Sequence, residues 1–215
     1  MGAIARSAAN NITTSGVFTS SAITNSSVTG ITVLANASDG ITFISSQTAS
    51  NSASLSFTSG LTSTYKAYKF VFVNIHPRND VVNFTFNLST DSGSNYNVTK
   101  TTTFFTAYHN EADTIISLEY DAASDLAQST AFQRMTVNTG SGADESIGGS
   151  LQLFNPSSTT YVKHFISRVS SYNGNDYIND YLIAGYGNTT SAVNAIRFQM
   201  SAGNFDGTIY LYGIK

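Results

Sequence analysis

The pattern of apolar and polar positions divides the chain near residue 40. Before it, short apolar islands stand in a polar background at Ile12, Val17-Phe18, Ile23, Val28, Ile31 and Val33-Leu34. Their spacing follows neither a heptad nor a strand alternation. This stretch has Arg6 and Asp39 as its only charges and Phe18 as its only aromatic. A disordered tail usually carries high net charge. The expectation is therefore an extended arm, residues 1–40, whose islands Ile12, Val17, Phe18, Ile23, Val28 and Ile31 dock onto a partner surface. A tail with no fixed partner is the alternative.

From residue 41 the pattern is that of β-strands. Ser54 to Thr58 alternates, and so does Asn83 to Ser89, with Phe84, Phe86 and Leu88 on one face and Thr85, Asn87 and Ser89 on the other. Such alternation predicts half-buried strands with one wet face. Phe70 to Ile75 is apolar on both faces and predicts a central strand. Further strands are expected at Gly149–Phe154, Val162–Val169, Ala195–Met200 and Thr208–Ile214, with Thr101–Tyr108 and Thr114–Tyr120 as weaker candidates. The short Pro77–Asp80 link predicts a hairpin between residues 65–76 and 81–89, and Asn204–Gly207 links the last two strands in the same manner. Ala122–Met135 reads as a short helix or an irregular loop. About eight strands with Gly and Asn turns, and no helix–strand alternation, predict an all-β fold: an antiparallel β-sandwich of jelly-roll type over residues 41–215, preceded by the arm.

Composition sharpens this picture. The chain has 215 residues, 11% of them charged, with a formal net charge of -3. An average soluble domain is about 25% charged; here Ser, Thr, Asn and Gly take that share. The absence of Cys excludes disulfides, a Cys-based zinc site and a thiol nucleophile. The charge balance argues against a nucleic-acid partner, which needs a basic patch. Arg6 and Asn10-Asn11 interrupt the only N-terminal apolar run, so no secretory signal is expected, and no run is long enough to span a bilayer.

Candidate chemistry is sparse. The glutamates are Glu111, Glu119 and Glu145, and none sits in a setting that suggests a facing acid pair; Glu119-Tyr120-Asp121 reads as a solubilising strand end. His76, His109 and His164 lack metal-site spacing and read as packed or loop residues. There is no Gly-x-Ser-x-Gly elbow and no phosphate-cradling glycine loop. Asn173–Asp176 and Asn179-Asp180 read as turns, and Gly185–Asn188 as a tight loop displaying Tyr186. No catalytic residue, metal or cofactor is expected. The tyrosines are more informative. Tyr172, Tyr177, Tyr181 and Tyr186 lie among Asn and Asp, where a rigid ring with a polar tip suits a glycan or a subunit contact. Cover for the edge of the sandwich is the other reading.

The segment Arg6–Phe18 resembles the start of small structural virion proteins of marine tailed bacteriophages. Tyr65–Pro77 followed by Asn87–Tyr96 is similar to a pattern in phage tail-fibre and appendage domains, and Gly207–Lys215 is similar to their last strand. The resemblance covers most of the chain and carries no catalytic residues. It implies a non-enzymatic virion protein of fibre, appendage or capsid-decoration type, made in the host cytoplasm. Its arm would bind other capsid or tail proteins. It would be a homo-oligomer, with a trimer expected, and would be displayed toward a host-surface glycan, without nucleic acid or membrane insertion. A free carbohydrate-binding module and, more remotely, a glycan depolymerase are the rival readings.

Overall fold

Strand alternation is realised in twelve segments of a computed structural model that describes residues 40–215. The arm positions Ile12, Val17, Phe18, Ile23, Val28 and Ile31 lie outside the described residues. In chain order the strands are β1 (Ile41–Ser52), β2 (Leu55–Phe57), β3 (Ala67–Pro77), β4 (Phe84–Ser89), β5 (Lys100–Asn110) and β6 (Ile116–Tyr120). They continue with β7 (Gln133–Arg134), β8 (Ile147–Phe154), β9 (Lys163–Asn173), β10 (Tyr177–Gly187), β11 (Ala195–Met200) and β12 (Phe205–Ile214). All pairings are antiparallel, and no helix occurs among the described residues.

The strands form two packed sheets. The larger runs β1-β12-β3-β8-β9-β10-β5-β6, the smaller β2-β11-β4-β7. Four strands of the first, β1-β12-β3-β8, match the four of the second in order, and the chain crosses between layers at β1/β2, β3/β4, β7/β8 and β11/β12. That winding is a jelly roll. The β5-β6 pair lies between its fourth and fifth strands and the β9-β10 pair between its sixth and seventh. Both pairs join the larger sheet and extend it past the edge of the smaller one.

Aromatic side chains between the layers hold the sheets together. Phe198 of β11 is fully buried, with ring centroids 5.3 Å from Phe70 and Phe72 of β3, 6.0 Å from Phe84, 6.3 Å from Phe57 and 6.4 Å from Phe86. Interleaved rings of this kind bury large apolar area and add edge-to-face attraction. Gly207 sits in a bulge of β12 at φ +121°, where a Cβ would strike the Asn74 backbone and come within 2.8 Å of Ile75 Cα.

Several expectations are corrected. Residues 65–76 and 81–89 are not a hairpin: β3 pairs with β12 and β8, whereas β4 pairs with β11 and β7. The two strands face each other across the core, with Phe72 and Phe84 edge to face at 5.3 Å, and the Pro77–Asp80 link is a crossing between layers. β11 and β12 likewise lie in different sheets. The supposed wet face of β4 is closed: Thr85, Asn87 and Ser89 are all buried. Asn87 Nδ2 donates to the Tyr96 and Thr130 carbonyls at 2.7 and 2.9 Å, so the following loops fold over that face and satisfy its polar groups. Residues 122–132 are irregular, and β7 follows. Residues 177–187 form a full strand, not turns, and the turn between β9 and β10 is only three residues long.

Candidate functional site

The overhang leaves part of the inner face of β10, β5 and β6 without a facing strand among the described residues. Residues 121–129 continue β6 along the edge of β5, and Gln133 of β7 covers the near half, its Oε1 accepting from Thr102 Oγ1 at 2.7 Å. Asp121 N donates to Phe104 O and Thr102 N to Leu126 O, both at 2.9 Å. The far half remains open as a cavity of about 310 Å³. Strand register aligns its lining in rows: Tyr181–Thr106–Glu119 across β10, β5 and β6, and Asn179–Tyr108 beside it. Asn173 and Tyr177 close one end, and Val137 and Asn138 one side.

Three tyrosines, Tyr108, Tyr177 and Tyr181, form the aromatic part of this wall. The Tyr108 and Tyr177 rings stand edge to face, 5.8 Å apart at 77°. Around them are polar groups with few internal partners. Asn179 is 5% exposed, and its one side-chain hydrogen bond is a long 3.5 Å contact from Nδ2 to Tyr177 O. Thr106 is 7% exposed, and its hydroxyl makes no hydrogen bond among the described residues. Polar side chains this buried are normally bonded to protein or water. Both line the cavity, and their polar atoms keep contact with solvent there; among the described residues the side-chain atoms that are both sealed and unbonded are the Tyr96 hydroxyl and Ser171 Oγ. Asn173, in contrast, is committed: its Oδ1 accepts from Asn175 N and Tyr177 N and shapes the β9–β10 turn.

Glu119 and Asp121 put two carboxylates on the cavity wall, where the sequence suggested a solubilising strand end. They stand two residues apart on one stretch of chain, on the same wall. A glycosidic acid pair flanks its substrate from two sides. Asp121 is also engaged structurally, its Oδ1 accepting from Ala123 N at 2.9 Å.

Alternation along β9 and β10 splits the four tyrosines that looked like one loop cluster. Tyr177 and Tyr181 point inward to the cavity. Tyr172 and Tyr186 point to the outer face. Tyr181 is core: it is 1% exposed, packs on Phe104 at 5.6 Å and donates its hydroxyl to Val137 O at 2.9 Å, and burial pushes its phenol up. Tyr172 donates to Asp176 at 2.9 Å, and that bond holds its phenol up at about 12. Tyr186 packs beside His164, with ring centroids 6.1 Å apart. The sequence reading missed Tyr108 and Thr106. Both sit at alternate inward positions of β5, a signal that becomes useful only once β10 is known to lie beside them.

The histidines are dispersed. His76 Nδ1 lies 2.6 Å from Glu145 O, and His109 Nε2 lies 2.9 Å from Asp113 Oδ1. Among the described residues no three His, Asp or Glu side chains converge on a metal-sized site.

The outer face of the same overhang is apolar. Ile116 and Leu118 of β6 are each 78% exposed, and Tyr120, Phe105, Leu182 and Ile178 are exposed beside them. The Arg168–Asp180 ion pair, 2.8 Å, lies among them. β6 ends the sheet, so one backbone edge carries no strand among the described residues. No protein-family model, curated protein or solved structure matches the chain.

Proposed function

We propose that the chain is a non-enzymatic structural protein of a bacteriophage virion, of fibre, appendage or capsid-decoration type, that displays its jelly roll for contact with the host surface. The observation that carries this reading is the overhang. Two inserted hairpins extend one sheet of the sandwich and frame a cavity onto which the weakly bonded Thr106 and Asn179 open, with its two carboxylates on one wall. Such a site is built to hold a ligand and has no facing acid pair to cleave one. The scarcity of charge and the likeness of Arg6–Phe18, Tyr65–Pro77 and Gly207–Lys215 to phage virion proteins support the biological setting.

In this reading the arm, residues 1–40, docks the protein to other capsid or tail proteins through Ile12, Val17, Phe18, Ile23, Val28 and Ile31. Copies associate as a homo-oligomer, with a trimer expected. The exposed apolar side chains of the outer face supply material for that contact. They expose on the order of 700 Å² together, near the ~800 Å² that each partner gives to a standard interface.

The test is incorporation. Full-length protein should be found by mass spectrometry in purified particles, and a chain lacking residues 2–40 should fold but fail to join them. Absence of the full-length chain from particles overturns the virion reading, and retained incorporation of the truncation overturns the anchoring role. Light scattering should give three chains per assembly, and Leu118→Lys should lower that number; a monomer in both cases overturns the oligomer.

A further inference from the structure

We infer that the cavity under the overhang binds an uncharged saccharide, an assignment that rests on the surface-contact role proposed above and names its ligand chemistry. The lining decides the class by charge first. Glu119 and Asp121 are its ionisable carboxylates, and among the described residues no Lys, Arg or His lines it. An anionic ligand such as a phosphate or a sialic acid would meet only like charge there, from the exposed Glu119 and the half-buried Asp121.

Hydrogen-bonding character decides next. A sugar hydroxyl donates and accepts at once. Thr106 offers a hydroxyl of the same kind, Asn179 an amide with both functions, and Glu119 an acceptor. The first two are more than nine-tenths buried yet nearly unbonded within the chain. A ligand that bonds them replaces the solvent that reaches them in the cavity, and discrimination against a ligand lacking those hydroxyls follows. The Tyr108–Tyr177 pair then supplies a ring face and a ring edge at 77°. The C–H face of a pyranose packs on such a ring while its hydroxyls reach the polar row Thr106–Glu119 next to it. The volume of about 310 Å³ lies at the small end of ligand sites, ~300–1,000 Å³, which suits a terminal sugar with its chain leading out of the open side.

The inference is tested on the full chain by NMR titration with neutral methyl glycosides of glucose, galactose, mannose and N-acetylglucosamine. Sialyllactose and glucosamine serve as anionic and cationic comparators. Saturable shifts at Tyr108, Tyr177 and Asn179 are expected with at least one neutral glycoside. Thr106→Val keeps the side-chain shape and removes the hydroxyl; Asn179→Ala removes the amide. Each should weaken binding about tenfold, whereas Tyr172→Ala and Tyr186→Ala on the opposite face should leave it unchanged. Thermal unfolding of each variant separates lost binding from lost fold, and Thr106→Val keeps the test open if Asn179→Ala does not fold. No saturable shift with any neutral glycoside, equal or tighter binding of sialyllactose, binding confined to glucosamine, or unchanged affinity in Thr106→Val overturns the inference. Any of these leaves the virion reading standing, because particle incorporation is measured independently of this cavity.

Discussion

Lys100 should make the folded protein gain stability as the solution turns mildly alkaline. The side chain is fully buried at the start of β5, with no carboxylate in reach among the described residues. Its Nζ donates to Asn87 Oδ1 and to Val98 O, the latter at 2.8 Å. A neutral amine has two N–H donors and can keep both bonds, so burial penalises the charge rather than the contacts. That burial brings the amine from its ordinary 10.5 down to about 7. Below pH 7 the folded and unfolded chains both hold the proton, and the full penalty is present. Between about 7 and 10.5 the unfolded chain holds a proton that the folded chain has released, so stability rises with pH. The whole span is worth on the order of 5 kcal/mol, and the part between pH 7.5 and 9.5 about 2.5 kcal/mol.

The perturbation is Lys100→Met, which keeps the length and removes the titration. It leaves Val98 O without this donor, which lowers stability at every pH by about 1–3 kcal/mol, whereas Asn87 Oδ1 keeps its bond from Leu88 N at 2.8 Å. The readout is therefore the slope, not the level. Urea unfolding of the full chain at pH 7.5, 8.5 and 9.5, followed by far-ultraviolet circular dichroism because the chain has no Trp, gives the stability at each point. The wild type should gain about 2.5 kcal/mol more than the variant across that range. Lys163, whose buried amine is also pushed down by desolvation, contributes to both curves and cancels in the comparison. Tyr120, Tyr172 and Tyr181 are all held up. They would reverse the trend only above pH 10, where unfolded tyrosines ionise first. Parallel curves from pH 7.5 to 9.5 would refute the account of Lys100 as a buried amine without a counter-ion.

Phe198→Ala should remove the ring on which five other phenylalanines converge and lower stability by about 3–5 kcal/mol in the same unfolding assay. A loss under 1 kcal/mol would mean that the two sheets are not held together there. Gly207→Ala places a Cβ against the Asn74–Ile75 backbone at a φ that side chains rarely adopt, and should lower stability by about 1–3 kcal/mol. An unchanged thermal midpoint would show that the bulge relaxes. Tyr181→Phe should lose about 1 kcal/mol through the unpaired Val137 carbonyl, with circular dichroism unchanged.

Individual strands were legible where side chains alternate. Ala195–Met200 is β11, and Leu55–Phe57 sits inside its expected segment, because a two-residue period needs no knowledge of the partner. Which strands lie side by side was not legible. A short link such as Pro77–Asp80 is as compatible with a crossing between layers as with a hairpin, and the choice is made by Phe72 and Phe84 meeting across the core. The run Asn173–Asp176 hid β10 for a compositional reason. Turn residues at its start, and Asn179 and Asp180 within it, masked an alternation that Tyr177, Tyr181 and Ile183 complete. The cavity was the least visible feature. Tyr108 and Asn179 become neighbours only through the β5–β10 register, which joins stretches about seventy residues apart.

The same register separates two tasks along the chain. The rings that hold the layers together, Phe57, Phe70, Phe72, Phe84 and Phe198, come from the jelly roll proper. The cavity is lined mainly by the inserted hairpins, with Val137 and Asn138 from the link between β7 and β8, and none of those five rings takes part. Substitutions at Thr106, Tyr108, Glu119 or Asn179 can therefore retune recognition while the rings between the layers stay in place. Most substitutions erode a marginal stability, and a scaffold arranged in this way keeps its reserve while the recognition cassette drifts.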